Sequence, residues 1–337
     1  MFGDFDAARL SQVLAAIQLG VHYSLRNGIA QRLVDVTNAL APPALKGAGT
    51  GAYDPRLHQL KNRGIVELGP VLDRSQVDSL LAYFRSRPCF AAHVAGKSDG
   101  VGRTIEDCAA RSHYGSYRIG DVLNAPFLAE IANREDILAL AESYLGCPPT
   151  LYSVNAFWSF PEQTRPWPGI QTFHRDFDDF RFCTMFIFLT DFRSEDGAHY
   201  YIPGTHRPEV VEKIFAEKTT SWRREYAASP EKIPKVDLNA LFAENLDLNA
   251  ACAALFDGQI QMVTAPAGSA VIEDTYGLHK GDIPKSYRLL VWIRYGLYKN
   301  ITNQRDNIVP LPAGALAGRI PDTLRHKYIN RLLVAPG

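Results

Sequence analysis

Apolar residues recur at two different spacings along this chain, and the change of spacing divides it in two. Up to about residue 150 the period is helical. Leu10, Val13, Leu14 and Ile17 fall on one such stripe, and Ile29, Leu33, Val36 and Leu40 on another. The segment APPALKGAGTGAYDP then breaks the pattern and predicts a Pro/Gly-rich loop. RGIVELGPVLDRSQVDSLLAYF reads as a short apolar strand followed by a helix, with Asp73 as N-cap and Val77, Leu80, Leu81 and Phe84 on one face. A further helix is predicted through REDILALAESYLG, stopped by Gly146.

From residue 151 the segments shorten. LYSVNAFWSF, FCTMFIFLTDF, AHYYIPG, IQMVTAPAGSAVIED and YRLLVWIRYGLY are rich in β-branched and aromatic residues and bounded by Gly, Pro, Asp or Ser. That pattern marks the strands of a sandwich or barrel. FCTMFIFLTDF is apolar at both parities, which predicts a central strand covered on both faces. A charged, helix-leaning insertion at 208–258 is expected to lie over the mouth of the β core. The class expected is α+β with a mainly β core, in one domain spanning 1–337. It comprises a helical flank (1–150), the β core (151–300) and a C-terminal extension (301–337).

Composition narrows the partners. The 337 residues are 46% apolar and 21% charged, enough for a sizeable core. Lys plus Arg balances Asp plus Glu, 36 against 36, with no basic block. This argues against nucleic acid or a membrane surface as partner and leaves a small molecule. The 5 cysteines are scattered, odd in number and free of CxxC pairs, which fits a reducing cytoplasm better than a disulfide framework or zinc knuckle. MFGDFDAARLSQV lacks the basic and apolar regions of a signal peptide. No apolar run approaches the length of a membrane span.

The candidate chemistry begins in QTFHRDFDDF. Side chains alternate faces along a strand, so His174 and Asp176 would project together while Arg175 points away. Alone, the pair is as readily a core histidine bonded to a carboxylate. His279, in VIEDTYGLHKGD just past a predicted strand, is the candidate third donor. Two histidines and one carboxylate on one face of an ion leave three positions open, which suits ferrous iron taking an organic cosubstrate and oxygen together. Arg288 follows, sharing strand parity with Leu290, Trp292 and Arg294. A guanidinium facing a barrel interior must be paired, and its fork matches a carboxylate. It could anchor the far end of a dicarboxylic cosubstrate; an ion pair with Glu273 or Asp274 is the structural alternative.

HRD at 174–176, YYIPGTHR at 200–207, AGSAVIEDTYGLHKGDIPKSYR at 267–288 and the upstream NRGIVELGPVLDRSQVDSLLAYF together resemble the phytanoyl-CoA dioxygenase family. The likeness runs from about Leu60 to Tyr298. It implies a double-stranded β-helix (jelly-roll, cupin-like) and an Fe(II)- and 2-oxoglutarate-dependent dioxygenase, using O2 and releasing succinate and CO2. His174, Asp176 and His279 would hold iron, and Arg288 would hold 2-oxoglutarate. Asn155 is the implied polar neighbour of the cosubstrate. The family often has a serine where this chain has Gly281, so Ser286 or a tyrosine would supply the missing contact. Because Asp176 is present, hydroxylation is favoured over halogenation.

Other residues carry less. Phe157, Trp158, Phe177 and Arg294 are candidate substrate contacts, although aromatic residues in a β barrel are mostly core and Arg294 could equally lie exposed at a strand end. Asp178 and Asp179 read as a solvated loop. His206 in the PGTH turn reads as a turn-stabilising residue and His199 as structural. His22, His58, His93, His113 and His326 carry no site signal. Two other classes remain open: a non-redox metal hydrolase or cupin-type isomerase, and a ligand-binding protein without turnover.

Overall fold

The computed structural model describes residues 20–47, 54–161, 171–243, 247–297 and 310–335; the stripe predicted at Leu10–Ile17 lies outside them. Helix α1 spans Tyr23–Leu40, but its buried side chains are Arg26, Ala30 and Val34. Val36 and Leu40, expected on the inner face, are 56% and 79% exposed. A charged residue sets the rotation: Arg26 donates to the Asp179 carbonyl at 2.6 Å, with its guanidinium 4.3 Å from the centre of the Tyr276 ring. Pattern reading assigns arginine to the solvent side, so the buried face lies about one residue away from the predicted stripe.

Helix α2 (Pro55–Arg63) is capped by Asp54 and ends at Gly64, whose φ of +79° turns the chain into strand β1 (Ile65–Pro70). Helix α3 (Arg74–Arg85) begins at the expected N-cap, Asp73, with Gln76 completing a capping box; Val77, Leu80 and Phe84 are buried. Short helices α4 (Ile105–Ala109), α5 (Ile119–Asn124) and α6 (Leu128–Ala132) surround strand β2 (Tyr114–Ser116). Helix α7 (Glu135–Leu145) stops at Gly146, as the sequence predicts.

The β segments follow as β3 (Thr150–Ser159), β4 (Phe182–Phe188), β5 (His199–Tyr201), β6 (Gln261–Val263), β7 (Ser269–Glu273), β8 (His279–Gly281) and β9 (Arg288–Gly296). They form a six-stranded sheet ordered β1-β7-β4-β9-β3-β2 and a three-stranded sheet ordered β6-β5-β8, and every strand pairing within them is antiparallel. A bridge between His174 and His279 adds the HRD segment to the free edge of β8. From β3 to β9 the chain passes back and forth between the sheets. It runs β3, the HRD segment, β4, then β5 and β6, then β7, β8 and β9. This alternation is the double-stranded β-helix. The fully buried β4 sits centrally, as its doubly apolar pattern predicts. The N-terminal flank also contributes both edge strands of the large sheet.

Strand parity divides the packing. Leu289, Val291 and Ile293 of β9 face outward into the main core with α3, α5 and α7. Phe157, Phe186, Val271 and Trp292 face inward, towards Tyr201 and Val263 of the small sheet. The 208–258 insertion forms helices α8 (Pro208–Glu225) and α9 (Asn249–Phe256) and packs elsewhere than expected. Val211, Trp222, Leu255 and Phe256 join Phe173, Ile202 and Leu278 behind the small sheet. None of its described residues lines the cavity between the sheets. The apolar back of the small sheet needs a cover, and the insertion supplies it. The final helix, α10 (Leu324–Ile329), packs against the flank through the Asn330–Asn133 pair.

Candidate metal centre

The backbone delivers three donors to one point. His174 exchanges both backbone hydrogen bonds with His279, at 3.0 and 3.1 Å, which puts the two imidazoles side by side with centroids 4.4 Å apart. Asp176, two residues on, donates its N–H to the Thr275 carbonyl at 2.8 Å. One donor atom from each of His174, Asp176 and His279 lies within 4.8 Å of the other two. The HRD segment is extended with a single bridge rather than a full strand, yet its alternation holds. Arg175 turns the other way and donates to the Leu241 and Thr205 carbonyls at 2.6 and 2.7 Å. His279, expected on a loop, sits on β8 and is 5% exposed.

The tautomers suit metal binding. Nδ1 of His174 lies 2.8 Å from the Thr172 carbonyl, and Nδ1 of His279 lies 2.9 Å from the Gly277 carbonyl. A carbonyl only accepts, so each Nδ1 carries the hydrogen and each Nε2 keeps its lone pair. Those Nε2 atoms face the two oxygens of Asp176 at 4.0 and 3.9 Å. Donors about 2.1 Å from one ion at right angles stand roughly 3 Å apart, a contraction small side-chain rotations can supply. Burial, then the neighbouring His174, pulls His279 down to about 3, against the opposing pull of Asp176. At neutral pH it is an uncharged imidazole, the form able to donate to a metal.

A cavity of about 330 Å³ opens beside these donors. Its lining includes Phe157 and Ser159 of β3, and Arg288, Leu290, Trp292 and Arg294 of β9, the parity set predicted from sequence. Arg288 is 3% exposed, with its guanidinium 4.6 Å from the centre of the Phe192 ring. Its Nη2 donates to the Asp282 carbonyl at 2.9 Å, while Nε and Nη1 are buried without a hydrogen-bond partner. The expected alternative, an ion pair with Glu273 or Asp274, does not form: Glu273 meets His199 at 3.0 Å and Asp274 accepts from Tyr144. Burial lowers Arg288 to about 10, so it remains a cation at neutral pH. Two unused donors on a buried guanidinium, in the same cavity as the triad, are fitted to a carboxylate.

Several expected residues lie elsewhere. Ser286 is exposed and bonded to Asp196, outside the cavity. Asn155 donates to the His93 carbonyl at 3.1 Å and does not line the cavity. Trp158 points to the outer core, donating to Tyr117 at 2.8 Å, because its parity is opposite to that of Phe157. Phe177 packs on Tyr276 behind the small sheet. Asp178 and Asp179 are 2% and 3% exposed rather than solvated. Asp178 is paired with Arg294 and accepts from the Tyr152 hydroxyl at 3.2 Å. Arg294 is 9% exposed, not at a solvated strand end.

Sequence reading missed Gln171 and His93, which both line the cavity. A β-carbon at Gly281 would stand 3.2 Å from the Gln171 amide. The glycine makes room for that amide, whose best orientation donates to the Asp282 carbonyl at 3.1 Å and accepts from the Tyr114 hydroxyl at 2.8 Å. Tyr114 itself is not among the residues that line the cavity. The His93 ring packs between Phe157 and Trp292, at 4.5 and 5.0 Å, and burial lowers its pKa to about 3. Its place after a Cys-Phe-Ala-Ala run gave no periodic signal. His206 is bonded to the Lys61 carbonyl, as a turn-stabilising residue would be, whereas His199, read as structural and bonded to Glu273, also lines the cavity. The 5 cysteines are free and buried, and no described helix is long and apolar enough to cross a membrane.

Residues 60–280 match the model of a family described as phytanoyl-CoA dioxygenase (PhyH). No curated protein matches the chain in sequence. Similar solved structures include EctD from S. alaskensis with 2-oxoglutarate and 5-hydroxyectoine (14% identity, 76% of this chain and 80% of that one, TM-score 0.47). HygX from Streptomyces hygroscopicus with nickel and 2-oxoglutarate is another (14%, 81% and 95%, 0.44). A third is SnoK, a non-heme alpha ketoglutarate dependent carbocyclase from nogalamycin biosynthesis (16%, 74% and 87%, 0.43).

Proposed function

Because this chain belongs to the phytanoyl-CoA dioxygenase family, we propose that it is an Fe(II)- and 2-oxoglutarate-dependent oxygenase that hydroxylates a small organic molecule. The observation that carries this reading is Arg288, a buried cation with two unpartnered nitrogens in the cavity of the His174–Asp176–His279 cluster. Metal-assisted hydrolysis does not in itself call for such a group. A dicarboxylic cosubstrate does.

His174, Asp176 and His279 would hold Fe(II), the histidines through Nε2 with their rings held by the Thr172 and Gly277 carbonyls. Iron held this way supplies oxidation by O2 coupled to conversion of 2-oxoglutarate to succinate and CO2. The chain's own part is binding and orientation. Arg288 receives the far carboxylate of 2-oxoglutarate through its unpartnered nitrogens, and the Gln171–Tyr114 pair closes that end of the cavity. Phe157, Phe186, Leu290 and Trp292 form an apolar wall that keeps water from the reacting centre. Asp176 keeps the carboxylate position filled, which supports hydroxylation over halogenation. The five buried thiols suit a reducing compartment.

The test is succinate formation from 2-oxoglutarate after exposing the anaerobic Fe(II)-loaded protein to oxygen. The reading expects stoichiometric or catalytic succinate, lost in His174→Ala and Asp176→Ala. Metal uptake that 2-oxoglutarate leaves unchanged, with no succinate, would instead support a non-redox hydrolase or isomerase.

A further inference from the structure

We propose that Arg294 is a positioning residue for the metal centre, clamping the carboxylate of Asp176, rather than a receptor for the substrate. The inference rests on the reading of His174, Asp176 and His279 as metal ligands. It concerns what holds the only carboxylate of that set in place.

Arg294 Nη2 donates to Asp176 Oδ2 at 3.0 Å, and Nη1 donates to Asp178 Oδ2. The guanidinium also lies 4.6 Å from the centre of the Trp292 ring. Asp178 is in turn held by the Tyr152 hydroxyl at 3.2 Å. Tyr152 is fully buried, and Asp176, Asp178 and Arg294 are 8%, 2% and 9% exposed. Water therefore does little to screen these contacts. Both ends of the fork are occupied by carboxylates of the chain and its plane is packed against an indole. A substrate carboxylate would have to displace one of them.

The chemistry of the contact says what the clamp does. A free carboxylate can bind an ion through either oxygen or both, and can swing away from it. With Oδ2 engaged by a charge-assisted hydrogen bond, the torsion of Asp176 is held and the carboxylate is kept facing the two imidazoles. The DFDDF stretch thereby acquires a purpose. Asp178, two residues on from Asp176 in the bend that follows, is the second jaw that locates Arg294 between the two. Hydrogen-bonded partners of metal ligands typically contribute about 10- to 100-fold to metal affinity.

The experiment measures Co(II) affinity and the visible spectrum of the Co(II)-loaded protein, without cosubstrate, for wild type, Arg294→Gln, Arg294→Lys and Asp178→Asn. Thermal melting of the metal-free proteins checks folding. We expect Arg294→Gln to lose at least tenfold in Co(II) affinity with a changed ligand-field spectrum. Asp178→Asn, which removes one jaw and keeps the arginine, should show a smaller change of the same kind. If Arg294→Gln does not fold, Arg294→Lys carries the test, since it keeps a cation while losing the two-ended grip; it too should weaken Co(II) binding. Wild-type affinity and spectrum in the folded variants would overturn the inference and leave the metal centre standing. A wild-type protein that takes up no Co(II) would overturn both.

Discussion

Replacing Arg288 by methionine should separate the energetics of the empty fold from those of the liganded one. This guanidinium is 3% exposed, and two of its three nitrogens have no hydrogen-bond partner within the protein. Such a cation costs stability, and an unbranched apolar side chain of similar length should be neutral or stabilising there. Binding runs the other way. Truncating one partner of a buried, hydrogen-bonded charge pair costs about 2–5 kcal/mol. At 1.36 kcal/mol per tenfold, 2-oxoglutarate should bind about 30-fold to several thousand-fold more weakly. The assay is anaerobic titration of the Mn(II)-loaded protein with 2-oxoglutarate, beside thermal melting of the metal-free protein. Arg288→Lys should recover part of the affinity, since it keeps the charge and loses the fork. Affinity for 2-oxoglutarate within threefold of wild type in Arg288→Met would refute the carboxylate anchor. A melting temperature lowered by ten degrees or more would refute the claim that the arginine burdens the empty fold.

Ser286→Ala should leave 2-oxoglutarate affinity unchanged in the same titration, because Ser286 is exposed and bonded to Asp196; a tenfold loss would place it in the site after all. Gly64→Ala should destabilise strongly, about 2 kcal/mol or more by urea unfolding, because φ is +79° and the added carbon would stand 2.5 Å from His206 Nδ1; a change below 0.5 kcal/mol would contradict the packing. His206 is 8% exposed, and burial lowers its folded pKa below its ordinary value. The unfolded chain therefore binds the proton more readily, so this contribution is present above about pH 6.5 and is lost as pH falls below it. The melting temperature of His206→Gln should then decline less steeply than that of wild type between about pH 7 and 5. Parallel declines would show that His206 does not contribute to the acid sensitivity.

Much of the site was legible because two-residue periodicity survives even where regular strand does not. Arg288, Leu290, Trp292 and Arg294 share the cavity, and Leu289, Val291 and Ile293 share the outer core. His174 and Asp176 face one point although a single bridge is all the ladder their segment has. Failures came where a buried polar residue did the work of an apolar one. Arg26 sets the phase of α1, and Asp178 and Asp179 look like loop residues until Arg294 and the backbone around them are placed. Adjacent strand residues face opposite ways, so Trp158 enters the outer core while its neighbour Phe157 faces the cavity. His93 and Gln171 could not be found by pattern. Each reaches the cavity from a segment outside the strand ladder, and that approach depends on tertiary contacts alone.

Anaerobic titration of the protein with Fe(II), with and without 2-oxoglutarate, tests the central claim most directly. The account predicts one Fe(II) per chain, a visible charge-transfer absorption that appears only when 2-oxoglutarate is added, and loss of both in His279→Ala. Iron bound equally well by His279→Ala, or no spectral response to 2-oxoglutarate in the wild type, would contradict it.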